Sequence, residues 1–160
     1  MLSLNLQLLV STVLMTPVLY YCAISFLPAS FTLSKAHLKV TNTECFYCTL
    51  VGLWSGYIIG YTTNYYTSSS YKPVQHLAQQ CISSAATNII SGLALGYYST
   101  FIPVTCIAIS IFVSFTLADM YGIALAALGM LSTLSIGLTI DGYGPIADNA
   151  GGISEMADLE

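Results

Sequence analysis

Charge is what this sequence has least of. Of its 160 residues 6% are Asp, Glu, Lys or Arg and 56% are hydrophobic, where a soluble domain carries about 25% charged residues. That balance excludes an ordinary soluble domain and reads as an integral membrane protein. Basic side chains are nearly missing, with only Lys35, Lys39 and Lys72, so no basic patch exists and nucleic acid is not expected as a partner. No basic segment precedes the first apolar run, which argues against a cleaved signal peptide, and no Asn-x-Ser/Thr acceptor occurs. The cysteines at 22, 45, 48, 81 and 106 lack a pattern. Cys45-Phe-Tyr-Cys48 is a lone CxxC with no second pair and no histidine at a ligand spacing, so small apolar residues in membrane spans is the better account than zinc or redox chemistry.

What is present is long apolar stretches. Met1 to Ser34 holds no charged residue, and Leu6 to Leu27 exceeds the roughly 20 residues a helix needs to cross hydrocarbon. Pro17 predicts a kink and Pro28 a stop. A short polar loop is expected over 35–44, then a second span over 45–66 with Trp54 inside and Tyr61, Tyr65 and Tyr66 approaching an interface. Residues 67–81 form the only long polar connection, a Ser run followed by Lys72-Pro73 that starts a polar helix. His76 lies there and reads as solvated, because no other His or Cys stands at a matching spacing. From 83 to 140 only Asp119 is charged. Hydropathy allows two long spans divided near Asp119–Gly122, or three short ones with breaks near Tyr98 and Asp119. Gly92, Gly96, Ala126, Ala127, Gly129 and Gly137 suit helices that pack backbone to backbone.

The apolar run ends in an acidic stretch, residues 141–155. Asp141, Asp148 and Glu155 are seven residues apart. On a helix each step rises about 10.5 Å and drifts about 20°, so the carboxylates share one stripe. Gly144, Ala147, Gly151 and Gly152 leave backbone accessible beside it, where a neighbouring helix or an ion could come close. The plain alternative is a solvated helix end. Against it stands the cost of a carboxylate stripe that continues an apolar span without a partner.

The segment DGYGPIADNAGGISEMA at 141–157 resembles the DxYGPxxDNAGGIAEMA motif of membrane-bound, ion-pumping inorganic pyrophosphatases of the vacuolar type. Further stretches are similar in order: STVLMT at 11–16, GLWSGYIIG at 52–60, YYTSSSYKPVQ at 65–75, AATNIISGLALGY at 85–97, and IAISIFVSF followed by MYGIALAALGMLST within 107–133. The similarity covers nearly the whole chain. It implies an all-α membrane fold, with about four consecutive middle transmembrane helices of a sixteen-helix bundle at about 6–31, 45–66, 83–117 and 120–157, and so favours two spans over 83–140.

Such proteins hydrolyse pyrophosphate with magnesium at the cytosolic end of the inner helices and move protons, or sodium in some members. The resemblance therefore implies Asp148 as a catalytic residue and metal ligand, Asn149 as its catalytic neighbour, and Asp141 in the ion pathway. It implies Mg²⁺ as cofactor, with K⁺ as a further cation. It also implies pyrophosphate, protons and the lipid bilayer as partners, the remaining helices of the pump around this segment, a homodimer, and a vacuolar or acidocalcisome-like membrane. Asn64 stands where similar proteins have a glutamate, His76 an aspartate, Ile82 an arginine, Asp119 an alanine and Asp158 a glycine. The family's other acidic clusters, of the DNVGDN and GDxxGDPxKDT types, and its substrate-clamping lysine have no counterpart in this sequence. The expectation is a partial chain of the pump, with a non-catalytic membrane scaffold as the alternative. The motif match puts loop 67–82 and Met1 in the cytosol and loop 35–44 in the lumen, although Lys35 and Lys39 alone would draw 35–44 to the cytosol.

Overall fold

The computed structural model describes residues 2–33, 38–82 and 84–157. Helix α1 (Leu2–Phe26) contains Pro17. Its 25 residues span about 37 Å, more than the ~30 Å of a hydrocarbon core. It stops well short of residue 31. Pro28 cannot donate and disfavours helical geometry in the residue before it, so the last helical bond runs from the Leu27 N–H to the Ala23 carbonyl at 3.3 Å. In place of a plain loop, β1 (Ser30–Leu33) pairs antiparallel with β2 (Leu38–Thr41), in register from Ser30↔Thr41 to Leu33↔Leu38. The β-branched Thr32, Val40 and Thr41 suit a pleated surface. Lys35 lies outside the described residues.

Helix α2 (Asn42–Thr67) starts on a capping box. The Thr41 N–H donates to Glu44 Oε2 at 2.7 Å and the Glu44 N–H donates to Thr41 Oγ1 at 3.3 Å, which satisfies two otherwise orphaned donors. Residues 72–80 form the short helix α3 (Lys72–Gln80). Helix α4 (Ala85–Leu131) is interrupted at Ala118 (φ −146°, ψ 26°) and Asp119 (φ 51°, ψ −145°). A methyl group at Gly122 would collide with the Ser114 carbonyl. In a straight helix residues eight apart are separated by about 12 Å, so the chain doubles back at Asp119. The division expected near Asp119–Gly122 is therefore a reversal into two antiparallel arms. The second arm does not run on to 157 without a break. Ser132 donates through both its N–H (3.2 Å) and its Oγ (2.6 Å) to the Gly129 carbonyl, the tightened turn of a helix end. Helix α5 (Leu134–Met156) follows.

Among the described residues two stretches are long and apolar enough to cross a membrane, Asn5–Phe26 and the run Ala85–Met156 that contains the reversal. With the family likeness reported below, this makes the chain an all-α membrane protein apart from its one hairpin. Helix α2 is comparably long but carries Tyr47, Tyr57, Tyr61, Tyr65 and Tyr66.

The core is the seam between α2 and α4, and it is built from the absence of side chains. A Cβ at Gly52 would strike the Ala126 carbonyl, and one at Gly129 the Thr49 carbonyl. Ser110, Ser114, Ala118, Gly122, Ala126 and Gly129 are the buried residues of α4. Cys48 Sγ approaches the Ser114 carbonyl at 3.8 Å. Ser110 and Ser114 bury hydroxyls without a hydrogen-bond partner, at a cost of about 1–3 kcal/mol each. The hairpin closes one end of this seam: Val40, Cys45, Cys48 and Ala118 are buried together under Phe31, Leu117 and Tyr121, with the Phe31 and Tyr121 rings edge-to-face at 5.7 Å.

Candidate functional site

The acidic stretch is helical, as its spacing requires for a single stripe. Helix α5 carries Asp141, Asp148, Asn149 and Glu155, all exposed. Its first turns still line a groove of about 260 Å³ with α1 and α2, in which Leu134 and Gly137 face Leu8, Thr12, Gly56 and Gly60. Farther along, a Cβ built on Gly142, Gly144, Gly151 or Gly152 meets no atom within 4 Å. The glycines that interrupt this helix therefore fill no space within the described chain, even though each costs about 1 kcal/mol of helix propensity relative to alanine.

Pro145 lies inside α5. It has no N–H to donate to the carbonyl four residues earlier, and that residue is Asp141. Asp141 thus loses the regular backbone donor to its carbonyl, the oxygen nearest in sequence to its carboxylate.

The stripe does not converge. Successive carboxylates are separated by about 10.5 Å of helix, whereas oxygen ligands sit about 2.0–2.1 Å from Mg²⁺, so no two of them can hold the same ion. Asp148 and Asn149, adjacent in sequence, diverge by about 100° around the helix. No group of three or more His, Cys, Asp or Glu side chains that could hold a metal occurs among the described residues. The donor chemistry suits magnesium, but the number of ligands does not. From this chain one site can receive one carboxylate, and the other ligands must come from other elements.

Two of the positions that differ from the motif family have structural roles that sequence reasoning missed. Asn64 Nδ2 donates to Asn5 Oδ1 at 3.0 Å, and Asn5 Nδ2 donates to the Tyr71 hydroxyl at 3.1 Å. This relay ties the start of α1, the end of α2 and the approach to α3 together. Its signal in the sequence was an Asn inside each of two apolar runs, where an amide needs a partner. Asp119 is the residue of the reversal and the only non-glycine with positive φ among the described residues. Asp158 lies outside the described residues.

A family model described as "Inorganic H+ pyrophosphatase" matches residues 1–160. Over 126 residues, 74% of this chain, the sequence is 48% identical to a putative K(+)-stimulated pyrophosphate-energized sodium pump of Clostridium tetani. It is 46% identical over 126 residues to a K(+)-insensitive pyrophosphate-energized proton pump of Methanosarcina mazei. Over 125 residues, 78% of this chain, it is 38% identical to a pyrophosphate-energized proton pump 2 of Rhizobium leguminosarum bv. trifolii. The matched region spans 19% of each of the first two relatives and 58% of the third.

Proposed function

This chain belongs to the family of integral-membrane inorganic pyrophosphatases that work as ion pumps, and we propose that it supplies four middle helices and one acidic face of a pyrophosphate-energised proton pump. The observation that carries the reading is helix α5, which bears DGYGPIADNAGGISEM with its carboxylates exposed and its glycines facing open space. Such a surface suits further helices that approach closely and complete a site. The relatives are named for sodium in one case and protons in others. The proton is our choice because the resemblance is to the vacuolar type, and a vacuolar or acidocalcisome-like membrane follows from the same likeness. The partners in this reading are the remaining helices of the pump, a second copy in a homodimer, and the bilayer.

In this reading Asp148 contributes one charged oxygen ligand at the hydrolytic centre, and Asn149 presents an amide on the adjoining face. Magnesium, when bound, neutralises pyrophosphate and makes it tolerable beside carboxylates. Potassium is a further candidate cation. Asp141, two helical turns from Asp148, carries a carboxylate on the same stripe, and we assign it to the ion pathway. Because a single helix presents these groups, hydrolysis and transport are linked through one element.

The test uses a complete pump that carries this segment. Asp148→Asn keeps the shape and deletes the charge, and should lower phosphate release about 100-fold or more, the order expected for one preorganised charged group. Asp141→Asn should impair acidification of sealed vesicles at least as much as hydrolysis. Near-normal phosphate release by Asp148→Asn would end its assignment to the metal site. The 160-residue chain by itself should release no phosphate above background with magnesium, since no metal-holding group occurs among its described residues. That same observation favours the second reading, a non-catalytic scaffold. Co-expression with the remaining helices separates the two, because only a pump segment restores hydrolysis.

A further inference from the structure

Helix α3 lies against the start of α4 and borders with it an open groove of about 430 Å³, lined by Tyr65, Lys72, Pro73, His76, Ser91 and Tyr98 among others. Lys72 and His76 are four residues apart on the helix, so their side chains share a face, and both are exposed. Ala94 and Tyr98 also belong to a second groove of about 540 Å³ whose other lining residues are Tyr97 and Phe101. The two spaces therefore share a wall. One offers an ammonium, an imidazole and hydroxyl groups, and the other is aromatic and aliphatic. The second runs along α4, inside a stretch apolar enough to cross a membrane. Tyr97, Tyr98 and Phe101 are 77%, 68% and 72% exposed, an arrangement that suits the level where aromatic rings meet lipid headgroups.

We propose that this paired groove is a binding site for an anionic phospholipid, with the phosphate against Lys72 and His76 and an acyl chain along Tyr98 and Phe101. Charge complementarity is local, not general. The chain carries a net charge of −4, and Lys39, the other described lysine, belongs to the β-hairpin. Among the described residues Lys72 is the lysine that borders a groove. A free phosphate would engage only the cationic groove and leave the aromatic groove unused. A phospholipid uses both, because a cationic side chain at the interface attracts anionic lipid while apolar wall is removed from water. The inference does not depend on the pump reading.

The experiment reconstitutes the full 160-residue chain in nanodiscs of phosphatidylcholine mixed with a minor fraction of phosphatidic acid. Lipid retained after detergent extraction is counted by mass spectrometry. The wild type should retain phosphatidic acid over phosphatidylcholine, and Lys72→Gln with His76→Gln should lower that preference at least about fivefold. Lys39→Gln should leave it unchanged and Lys72→Arg should restore it, which keeps the test valid if the double variant folds poorly. Phe101→Ala should weaken retention of the lipid without changing binding of inorganic phosphate. Equal retention of both lipids, an unaffected double variant, or displacement of the lipid by millimolar inorganic phosphate would each overturn the proposal.

Discussion

Gly52→Ala puts one methyl group where the structure has the Ala126 backbone. The built Cβ falls inside contact distance of the Ala126 carbonyl, 2.7 Å from its carbon and 2.8 Å from its Cα. None of these atoms can rotate away, so α2 and the second arm of α4 must part. Overpacking of this kind costs about 1–3 kcal/mol, partly offset by the roughly 1 kcal/mol that alanine gains over glycine in helix propensity. Gly56→Ala is gentler, with the Met130 carbonyl oxygen at 3.2 Å and Cα at 3.3 Å. Gly142→Ala meets nothing within 4 Å and should stabilise by about 1 kcal/mol. The series should therefore run Gly142→Ala above wild type, Gly56→Ala near it, and Gly52→Ala below. Reversible unfolding in mixed micelles can be followed by the fluorescence of Trp54, the sole tryptophan, which is two residues from the perturbed site. A Gly52→Ala chain as stable as Gly142→Ala would refute backbone contact as the basis of the seam. In a complete pump the sign for Gly142 should reverse, because an added helix would occupy the space that is open here.

Three further outcomes are expected. A double-mutant cycle on Asn5→Ala and Asn64→Ala should show a coupling of about 0.5–1.5 kcal/mol, measured by the same unfolding, and strict additivity would remove the amide relay. Asp119→Gly should stabilise by about 1 kcal/mol by relieving a positive φ that glycine adopts freely, and a loss of stability would show that the carboxylate itself holds the reversal. His37→Cys in a cysteine-free pump should label from the lumenal side only, and labelling from the cytosol alone would invert the proposed topology.

The sequence made the long elements legible and hid the joints. Apolar length announced α1 but allowed two or three spans over 83–140, between which the motif resemblance chose, and the spacing of Asp141, Asp148 and Glu155 gave one acidic stripe on condition that the stretch is helical. Asp119 marked a division because it is the lone charge between residues 83 and 140. That the division is a tight reversal depends on Gly122 accepting a backbone contact, a tertiary fact that periodicity does not carry. The hairpin at 30–41 was read as the end of a helix and a loop, because two four-residue strands are too short to outweigh the surrounding apolar pattern. The candidate site was legible as residues, through motif resemblance, and illegible as geometry. The structure adds that the stretch is a helix, so the carboxylates stand about 10.5 Å apart, and that its glycines face open space. His76 reads from the sequence as solvated because no other His or Cys stands at a matching spacing. Its relation to Lys72 was in view at four residues' distance.

The glycine seam also fixes how this protein should respond to cold. Helices joined through backbone atoms and dispersion in a lipid surround expel little water when they meet, and it is the hydration of exposed apolar surface that gives unfolding its large heat capacity. Separation of α2 from α4 should therefore show a shallow dependence on temperature, with no maximum near ambient conditions, and chilling should leave the seam as tight as warmth does.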